Sequence, residues 1–281
     1  MQKINYIYNK ETPSTVENFL KYNGISARLL RKLKRQPDGL TKNGSAVRSI
    51  DIVEKGDEIC LNINDSSFLE PNASLDVSAA YENDYIVIFD KPPYMPVHPS
   101  VKHQGDTLGN YFASLYPELT FRPINRLDRN TSGLCAAAKN PHSANILQHN
   151  IIKTYYAVVC GRTEPSGTVN APIARESESI IKRIVRDDGK PAVTHYKTLL
   201  QNEKYSLVEI HLETGRTHQI RVHFAYIGCP LAGDELYGGN TDDISRHALH
   251  CGKLIFNDIF TNREIVTVSD IKTDMLNLFR K

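Results

Sequence analysis

A run of small apolar residues, Leu134-Cys135-Ala136-Ala137-Ala138, limits most strongly what this chain can fold into. A short apolar run without alternating polar positions predicts a buried strand, covered on both of its faces. A polar turn at residues 130–133 comes directly before it, and Arg126-Leu127-Asp128-Arg129 precedes the turn. Because loops beside a rigid scaffold commonly carry functional groups, Asp128 is a candidate reactive carboxylate.

An aspartate between two arginines is also typical of a surface ion pair. Neighbouring guanidinium groups favour the charged form of a carboxylate, so Asp128 is expected to stay ionised in either case. Isolated surface ion pairs are frequent and contribute little to stability. The choice between a surface ion pair and a functional site at Asp128 therefore depends on the rest of the sequence.

Charge is unevenly distributed along the 281 residues, although the net charge is only +2. Residues 1–63 carry eleven Lys and Arg against seven Asp and Glu, a net +4, which favours an anionic partner for this segment. The five cysteines are scattered and form no C-x-x-C, which favours free thiols in a reducing compartment. Without an apolar run of about 18 residues or a signal-peptide segment, we expect a soluble, cytoplasmic protein.

Two short helices and a hairpin are predicted within residues 14–63. Residues 1–13 are polar and are expected to be peripheral. Ser14 to Glu17 has the pattern of a capping box that opens the first helix, and the second begins near Ser26. Asn43-Gly44 predicts the turn of a hairpin. The second helix carries five basic residues, which either form a solvated face or contact phosphates: Arg28, Arg31, Lys32, Lys34 and Arg35.

Strands outnumber helices in the remainder of the chain and are often joined by hairpins. Residues 64–74 are polar and contain a proline, which is typical of a linker. Apolar or alternating segments predict strands at residues 86–89, 153–161 and 205–212, with a last strand near 253–256. We therefore predict an α+β fold with a mixed, largely antiparallel sheet, and not a doubly wound parallel one.

The N-terminal segment resembles the alpha-L RNA-binding domain of ribosomal proteins and RNA-modifying enzymes. The resemblance rests on the basic helix, on the Asn43-Gly44 hairpin and on Gly56-Asp57-x-Ile59. It implies that residues 1–65 form a small α/β RNA-binding domain and that RNA is the anionic partner.

Five blocks of residues 76–281 are similar, in order, to those of the RluA-type pseudouridine synthases. Arg126-Leu127-Asp128-x-x-Thr131-Ser132-Gly133-Leu134 resembles the family signature. The other blocks are Lys91-Pro92-Pro93 with Val97-His98-Pro99, Lys153-x-Tyr155-x-Ala157-x-Val159-x-Gly161, Gly215-Arg216-Thr217-His218-Gln219-Ile220-Arg221-Val222-His223, and Gly233-Asp234 with Tyr237-Gly238 and Leu249-His250. Asn125 stands where many members carry histidine, and we expect little effect on the chemistry because it precedes the core of the motif.

The resemblance implies the pseudouridine synthase fold and an enzyme that isomerises uridine in structured RNA, ribosomal or transfer. No redox change occurs in that reaction, so no cofactor is expected; we also expect no metal and a monomer. Asp128 is the implied catalytic carboxylate, as a nucleophile or as a base, paired with Arg221. Tyr155 would stack on the base and bring its hydroxyl near C5, and Leu249 would pack on the other side.

A base inside a helix is inaccessible, so the target uridine has to be flipped out of its stack. Arg126 is the candidate to fill the vacated space. Lys153, Arg216 and the basic helix are candidates to hold phosphates.

The same residues are also compatible with other functions. Four histidines suggest a metal site, but His218 and His223 are five residues apart, and the glutamate of H-E-x-x-H is missing. A glycosidase with Asp128 as nucleophile would need a second carboxylate, for which Glu213 or Asp234 would have to lie nearby in space. A non-catalytic RNA-binding protein would not require an aspartate that repels phosphate.

Overall fold

The computed structural model describes residues 2–64, 69–177 and 181–280. The strands are β1 Gln2–Ile7, β2 Ser14–Thr15, β3 Leu40–Lys42, β4 Ser45–Ala46, β5 Ile52–Val53, β6 Glu58–Ile63, β7 Ala79–Glu82, β8 Ile86–Lys91, β9 Arg122–Pro123, β10 Ser132–Ala138, β11 Ile152–Cys160, β12 Ser166–Asn170, β13 Ile173–Arg175, β14 Arg183–Val185, β15 Val193–Gln201, β16 Tyr205–Leu212, β17 Leu249–Asn257 and β18 Glu264–Val268. The helices are α1 Val16–Tyr22, α2 Ala27–Leu33, α3 Leu108–Leu115, α4 Pro141–Asn150, α5 Gln219–Tyr226 and α6 Thr273–Leu276, with 3₁₀ turns at Glu235–Tyr237 and Asn277–Phe279.

The N-terminal segment builds its own apolar core from residues 4–63. Four strands pair in the order β1-β6-β3-β4, and α1 and α2 supply buried apolar side chains to the same core. The expectation that residues 1–13 are peripheral was wrong, because β1 pairs along its length with β6 and Ile4 and Tyr8 are buried. Polar and apolar residues alternate only weakly in β1. Its position in the sheet is therefore fixed by pairing with β6 and not by its own sequence pattern.

The two N-terminal helices begin at hydroxyl caps. Ser26 caps α2 as predicted, because its side chain accepts a hydrogen bond from Leu29 N. The cap of α1 is Thr15, which accepts from Asn18 N, while the predicted Ser14 lies in β2. Glu17 makes ion pairs with Lys21 and Lys34. The capping-box prediction was therefore one residue out of register.

Beside a separate two-stranded sheet of β13 and β14 and the helices α3 to α6, the rest of the described structure contains a ten-stranded sheet. Its strand order is β12-β15-β16-β11-β17-β10-β8-β7, with β18 on β17 and β9 on β10. Every pairing in this sheet is antiparallel except the short parallel contact between β10 and β17. The predicted α+β class with a mixed, largely antiparallel sheet is confirmed.

Strand β10 is buried along all seven residues, as its apolar sequence predicts. Its alanines leave room for close packing on both sides. Gly133 has φ +105°, and a Cβ there would lie 2.3 Å from the carbonyl oxygen of Cys251. The close approach of β17 therefore requires glycine at this position. It brings the residues that precede β17 next to the loop that precedes β10.

The two segments of the chain contact each other through β1 and α4. The Tyr6 hydroxyl and His142 Nε2 lie 2.6 Å apart, and Asn145 donates to the Gly24 carbonyl at 3.3 Å. Part of the predicted linker, residues 65–68, lies outside the described residues. Beyond it, Leu69 packs against the main core and Asn72 N donates to Asn110 O.

The C-terminal segment is more ordered than the sequence predicts. The strand expected near residues 253–256 starts at Leu249, and β18 and α6 follow it. None of the helices in the described part of the chain has the length and apolar composition needed to cross a bilayer.

Candidate active site

The loop that carries Asp128 connects β9 to β10 and is held by the side chain of Asn125. Asn125 Nδ2 donates to Leu134 O at 3.0 Å, and its Oδ1 accepts from Ala136 N at 2.8 Å. Ile124 N also donates to Ala136 O. A side-chain amide can replace a peptide group in such a ladder because it offers both a donor and an acceptor. Asn125 thus fixes the path of the loop without facing its open side.

The carboxylate of Asp128 lies against a buried arginine from another element. Arg221, on α5, donates from Nη1 to Asp128 Oδ2 at 3.0 Å. Its Nε and Nη2 both bind Asp234, each at 2.7 Å. Arg221 and Asp234 are only 7% and 2% exposed. One guanidinium therefore joins a half-buried carboxylate, Asp128, to a fully buried one.

Burial alone would lower the pKa of Arg221, but the ion pairs with Asp234 and Asp128 outweigh it and raise that pKa. Arg221 thus stays positively charged. Its bidentate contact with Asp234 fixes the plane of the guanidinium, so that Nη1 points at Asp128. The orientation of the Asp128 carboxylate consequently depends on a residue that it does not touch.

Tyr155 and Leu249 line the small cavity beside Asp128, which has a volume of about 110 Å³ and also contacts Arg126, Arg216 and Arg221. Both are largely buried. They are neighbours because β11 pairs with β17. Burial, followed by the nearby Cys251 and Cys135 thiols and Asp128, raises the pKa of Tyr155 well above its usual value. Its hydroxyl therefore stays protonated.

A wider cleft of about 1160 Å³ opens outward from Asp128. Arg126, Lys153 and Arg216 line it, and Arg126 and Arg216 are exposed. Arg216 Nε donates to Pro191 O at 3.0 Å, which holds that side chain at the rim. Burial lowers the pKa of Lys153. The cleft thus has positive groups along its rim and a carboxylate at its inner end.

The basic residues of α2 lie apart from this cleft. Arg28, Arg31, Lys32 and Arg35 line a separate open depression. Lys34 binds Glu17 at 2.8 Å and is partly neutralised by it. Lys32 donates to the backbone oxygen of Asn64 at 2.7 Å. Arg28 and Arg31 on α2 and Arg35 just beyond its end are therefore exposed positive charges without a carboxylate partner in the contacts described above.

Three residues near Asp128 were not predicted as site residues. Asp234 holds Arg221, His218 Nε2 is 3.7 Å from Asp128 Oδ2, and the Tyr237 hydroxyl is 2.9 Å from His218 Nδ1. All three stand in the sequence blocks quoted above. Their blocks were the only available signal, because the contacts join residues that are distant in sequence.

The histidines that suggested a metal have other partners. His247 Nε2 lies 2.8 Å from Thr131 Oγ1, and His250 Nδ1 lies 3.0 Å from Ser132 Oγ. His223 contacts Thr194 Oγ1 and Ala171 O. Within residues 2–64, 69–177 and 181–280, no group of three or more His, Cys, Asp or Glu side chains is arranged to hold a metal.

The loop on the other side of Asp128 is supported by a buried lysine. Lys91 Nζ donates to the carbonyls of Pro92, Met95 and Arg129 at 2.8, 2.8 and 3.2 Å. Burial lowers the pKa of Lys91 to about 7. These contacts hold the proline-rich loop against the Asp128 loop. The Arg129 guanidinium is exposed, and its central carbon lies 5.9 Å from the centre of the Tyr94 ring.

Comparisons with known proteins agree with this architecture. Residues 85–226 match the family model described as RNA pseudouridylate synthase. The uncharacterized RNA pseudouridine synthase YjbO of Bacillus subtilis is 36% identical over 281 residues, covering 95% of this chain and 98% of that protein. The ribosomal large subunit pseudouridine synthase D of Pasteurella multocida is 33% identical over 244 residues, covering 79% of this chain and 75% of that protein.

Among solved structures, human RNA pseudouridylate synthase domain containing 1 superposes with a TM-score of 0.57 at 23% identity, covering 75% of this chain and 96% of that one. At this identity the likeness concerns the fold, and the sequence relatives carry the assignment. With half of its residues inside the family model and a relative matched almost end to end, this chain belongs to the RNA pseudouridine synthase family, whose members isomerise uridine in RNA.

Proposed function

We propose that the chain converts specific uridines of ribosomal RNA to pseudouridine, with Asp128 as the catalytic carboxylate. The observation that carries this proposal is the ion pair of Asp128 and Arg221 in a cavity lined by Tyr155 and Leu249. Relatives named ribosomal large subunit pseudouridine synthase D, from Pseudomonas aeruginosa and Pasteurella multocida, support ribosomal RNA as the substrate. Transfer RNA is the alternative substrate of the same reaction.

The chemistry requires that the N1–C1′ bond breaks, that uracil turns, and that C5 bonds to C1′ while the C5 proton leaves and N1 takes up a proton. No electrons are gained or lost. Asp128 acts on the ribose, by attack at C1′ or by removing a proton, and the hydrogen bond from Arg221 orients it. Since Arg221 is itself fixed by Asp234, the carboxylate is positioned before the substrate arrives.

Tyr155 serves in this proposal as a flat wall for the uracil, with Leu249 on the opposite side. Its raised pKa opposes a role as a base in the free enzyme, because the phenol holds its proton at neutral pH. The ring stacks on the base, and the hydroxyl lies near C5, the atom that loses its proton. Stacking of this kind contributes about 1–3 kcal/mol per base.

Arg126 lies in the same loop as Asp128, at the rim of the cleft, and is exposed. In the proposal it enters the space that the flipped uridine leaves in the RNA. Lys153 and Arg216 hold phosphates on either side of the target nucleotide. Residues 1–65 form an RNA-binding domain that contacts phosphates through α2, and residues 76–281 form the catalytic domain. A cytoplasmic location follows from a ribosomal substrate.

A glycosidase is less compatible with the carboxylates present. Both oxygens of Asp234 bind Arg221, so that carboxylate is not available as an acid or a base. Glu213 is exposed and lies 2.6 Å from His195 Nε2. Neither supplies the second carboxyl group that such an enzyme needs. A non-catalytic RNA-binding protein gains nothing from the Asp128–Arg221 pair.

Mapping pseudouridines in cells with and without the gene tests the proposed function. We expect loss of pseudouridine at one or a few sites of ribosomal RNA and its return when the intact gene is restored. Restoring the Asp128→Asn gene should leave those sites unmodified. Loss of pseudouridine from transfer RNA alone would make transfer RNA the substrate. Unchanged pseudouridine in both ribosomal and transfer RNA would contradict the proposed function.

The N-terminal segment can be tested by removing its charge or the segment itself. Replacing Arg28, Arg31 and Arg35 by glutamine should weaken RNA binding and reduce the slope of log K against log salt by about 2, because each lost phosphate contact contributes about 0.7–0.9. Deleting residues 1–65 should weaken binding further while the remaining fold persists by circular dichroism. Filter binding between low and moderate salt measures both.

The matched control replaces Lys3, Lys10 and Lys55 by glutamine, which removes the same charge elsewhere in this segment. We expect a smaller change in the salt slope for this variant. An equal change would show that only net charge matters. An unchanged affinity after deletion of residues 1–65 would exclude a binding role for them.

A further inference from the structure

His218 precedes α5 in a left-handed conformation, with φ 58°. Such a conformation is costly for a residue other than glycine and persists where the surroundings hold it. The His218 carbonyl accepts from Val222 N, and its ring stands edge-on to Tyr237 with centroids 5.8 Å apart. The backbone and the ring are thus both held, and Nε2 lies 3.7 Å from Asp128 Oδ2.

The hydrogen bonds around Tyr237 favour one tautomer of His218. Arg183 N donates to the Tyr237 oxygen at 3.0 Å, which occupies an acceptor position of that hydroxyl. The remaining bond of the hydroxyl, at 2.9 Å, runs to His218 Nδ1. This arrangement favours the tautomer in which the phenol proton points to Nδ1 and the imidazole proton is on Nε2, the nitrogen that faces Asp128.

His218 is a neutral group beside the carboxylate. Burial lowers its pKa, so the ring carries no charge at neutral pH. The charged and titratable groups that face it are Asp128, Asp234, Arg221, Arg183, Tyr237 and His247. A neutral N–H can orient a carboxylate without cancelling its charge. Arg221 cancels the charge of Asp128 only in part, because it is already paired with Asp234.

Tyr237 connects both neighbours of Asp128. Its hydroxyl contacts Nδ1 of His218 and so favours one tautomer of that ring, and its ring face lies 5.0 Å from the guanidinium carbon of Arg221. Arg221 Nη1 and His218 Nε2 approach the same oxygen, Oδ2. Shortening the His218 contact by roughly 0.7 Å would make it a hydrogen bond. With two donors on Oδ2, the other oxygen, Oδ1, would be the one that faces the substrate.

We propose that His218, with its proton on Nε2 set by the Tyr237 hydroxyl, is a positioning residue that turns Oδ1 of Asp128 toward the substrate. This inference rests on the proposed function of Asp128. It assigns to Tyr237 a role that acts through His218 and not through contact with RNA.

A double-mutant cycle tests the coupling, with the full-length chain and 5-tritiated total RNA from cells lacking the gene. His218→Ala should lower the single-turnover rate at saturating enzyme by about 10- to 100-fold, because a misplaced catalytic group costs that much. The enzyme concentration that gives half of this rate should change less than about twofold. His218→Gln, which keeps a donor near Nε2, should recover part of the rate.

Tyr237→Phe keeps the ring against Arg221 and removes only the hydroxyl. It should slow the wild-type enzyme but add no further loss in the His218→Ala background. A full additional loss there would mean that the hydroxyl acts through Arg183 and would overturn the inference, as would an unchanged rate for His218→Ala. His103→Gln, at a histidine that does not line the cleft, is the matched control and should keep the wild-type rate.

Nitrogen NMR of the histidine-labelled free enzyme provides a readout independent of activity. We expect His218 to show an unprotonated Nδ1 and a protonated Nε2, and a protonated Nδ1 would overturn the inference. The two proposals fail differently. A wild-type enzyme that releases no tritium contradicts the proposed function, whereas an active wild type with a fully active His218→Ala variant contradicts only the role of His218.

Discussion

Asp128→Asn should abolish pseudouridine formation, with the rate reduced by at least about 10⁴-fold, and should leave RNA binding largely intact. Asparagine has nearly the same shape and can still accept a hydrogen bond from Arg221 Nη1. It carries no negative charge, so it can neither attack the ribose effectively nor take a proton from it. The change thus removes chemistry while conserving the geometry of the cavity.

Tritium release from RNA labelled at C5 of uridine measures this loss, and filter binding measures the affinity. Asp187→Asn makes the same chemical change at an exposed turn and should keep the wild-type rate. Undiminished release by Asp128→Asn would refute the assignment of the catalytic carboxylate. If affinity and release fell together by the same factor, Asp128 would be a binding residue.

Asp234→Ala should have the largest effect on stability among single substitutions at the site. It leaves Arg221 buried with two of its donor nitrogens unpaired, because Nε and Nη2 lose their partner while Nη1 keeps Asp128. Breaking a buried ion pair by removing one partner costs about 3–5 kcal/mol in the free energy of unfolding. Because Arg221 keeps its contact with Asp128, we expect a loss at the lower end of this range, about 3 kcal/mol in the free energy of unfolding.

Urea denaturation followed by circular dichroism measures this change. Asp188→Ala breaks the exposed pair of Asp188 with Arg186 and is the matched control, for which we expect little change because solvent screens such pairs. Equal effects of the two substitutions would mean that Arg221 does not depend on Asp234. We also expect Asp234→Ala to slow catalysis, since the Arg221 guanidinium would no longer be fixed in the plane that presents Nη1 to Asp128.

Local patterns were sufficient for much of the fold. The apolar sequence of β10 predicted its burial, and the hydroxyl of Ser26 predicted the start of α2. These features depend on residues within a few positions of one another, where propensity and capping operate. The cap of α1 was misplaced by one residue because Ser14 and Thr15 both carry a hydroxyl that can cap a helix and both lie in β2; the helix begins at Val16, which makes Thr15 the cap.

The sequence by itself determined the family blocks, the fold class and the candidates Asp128, Tyr155 and Arg221. Only the tertiary structure decided that Arg221 is shared by two carboxylates and that His218 lies outside α5, facing Asp128. The place of β1 in the N-terminal sheet was decided in the same way, by its partner β6. The physical reason is the same in each case. A side chain's charge and hydrogen-bonding capacity are local properties, but the partner that satisfies them is chosen by packing between segments that are far apart in the chain.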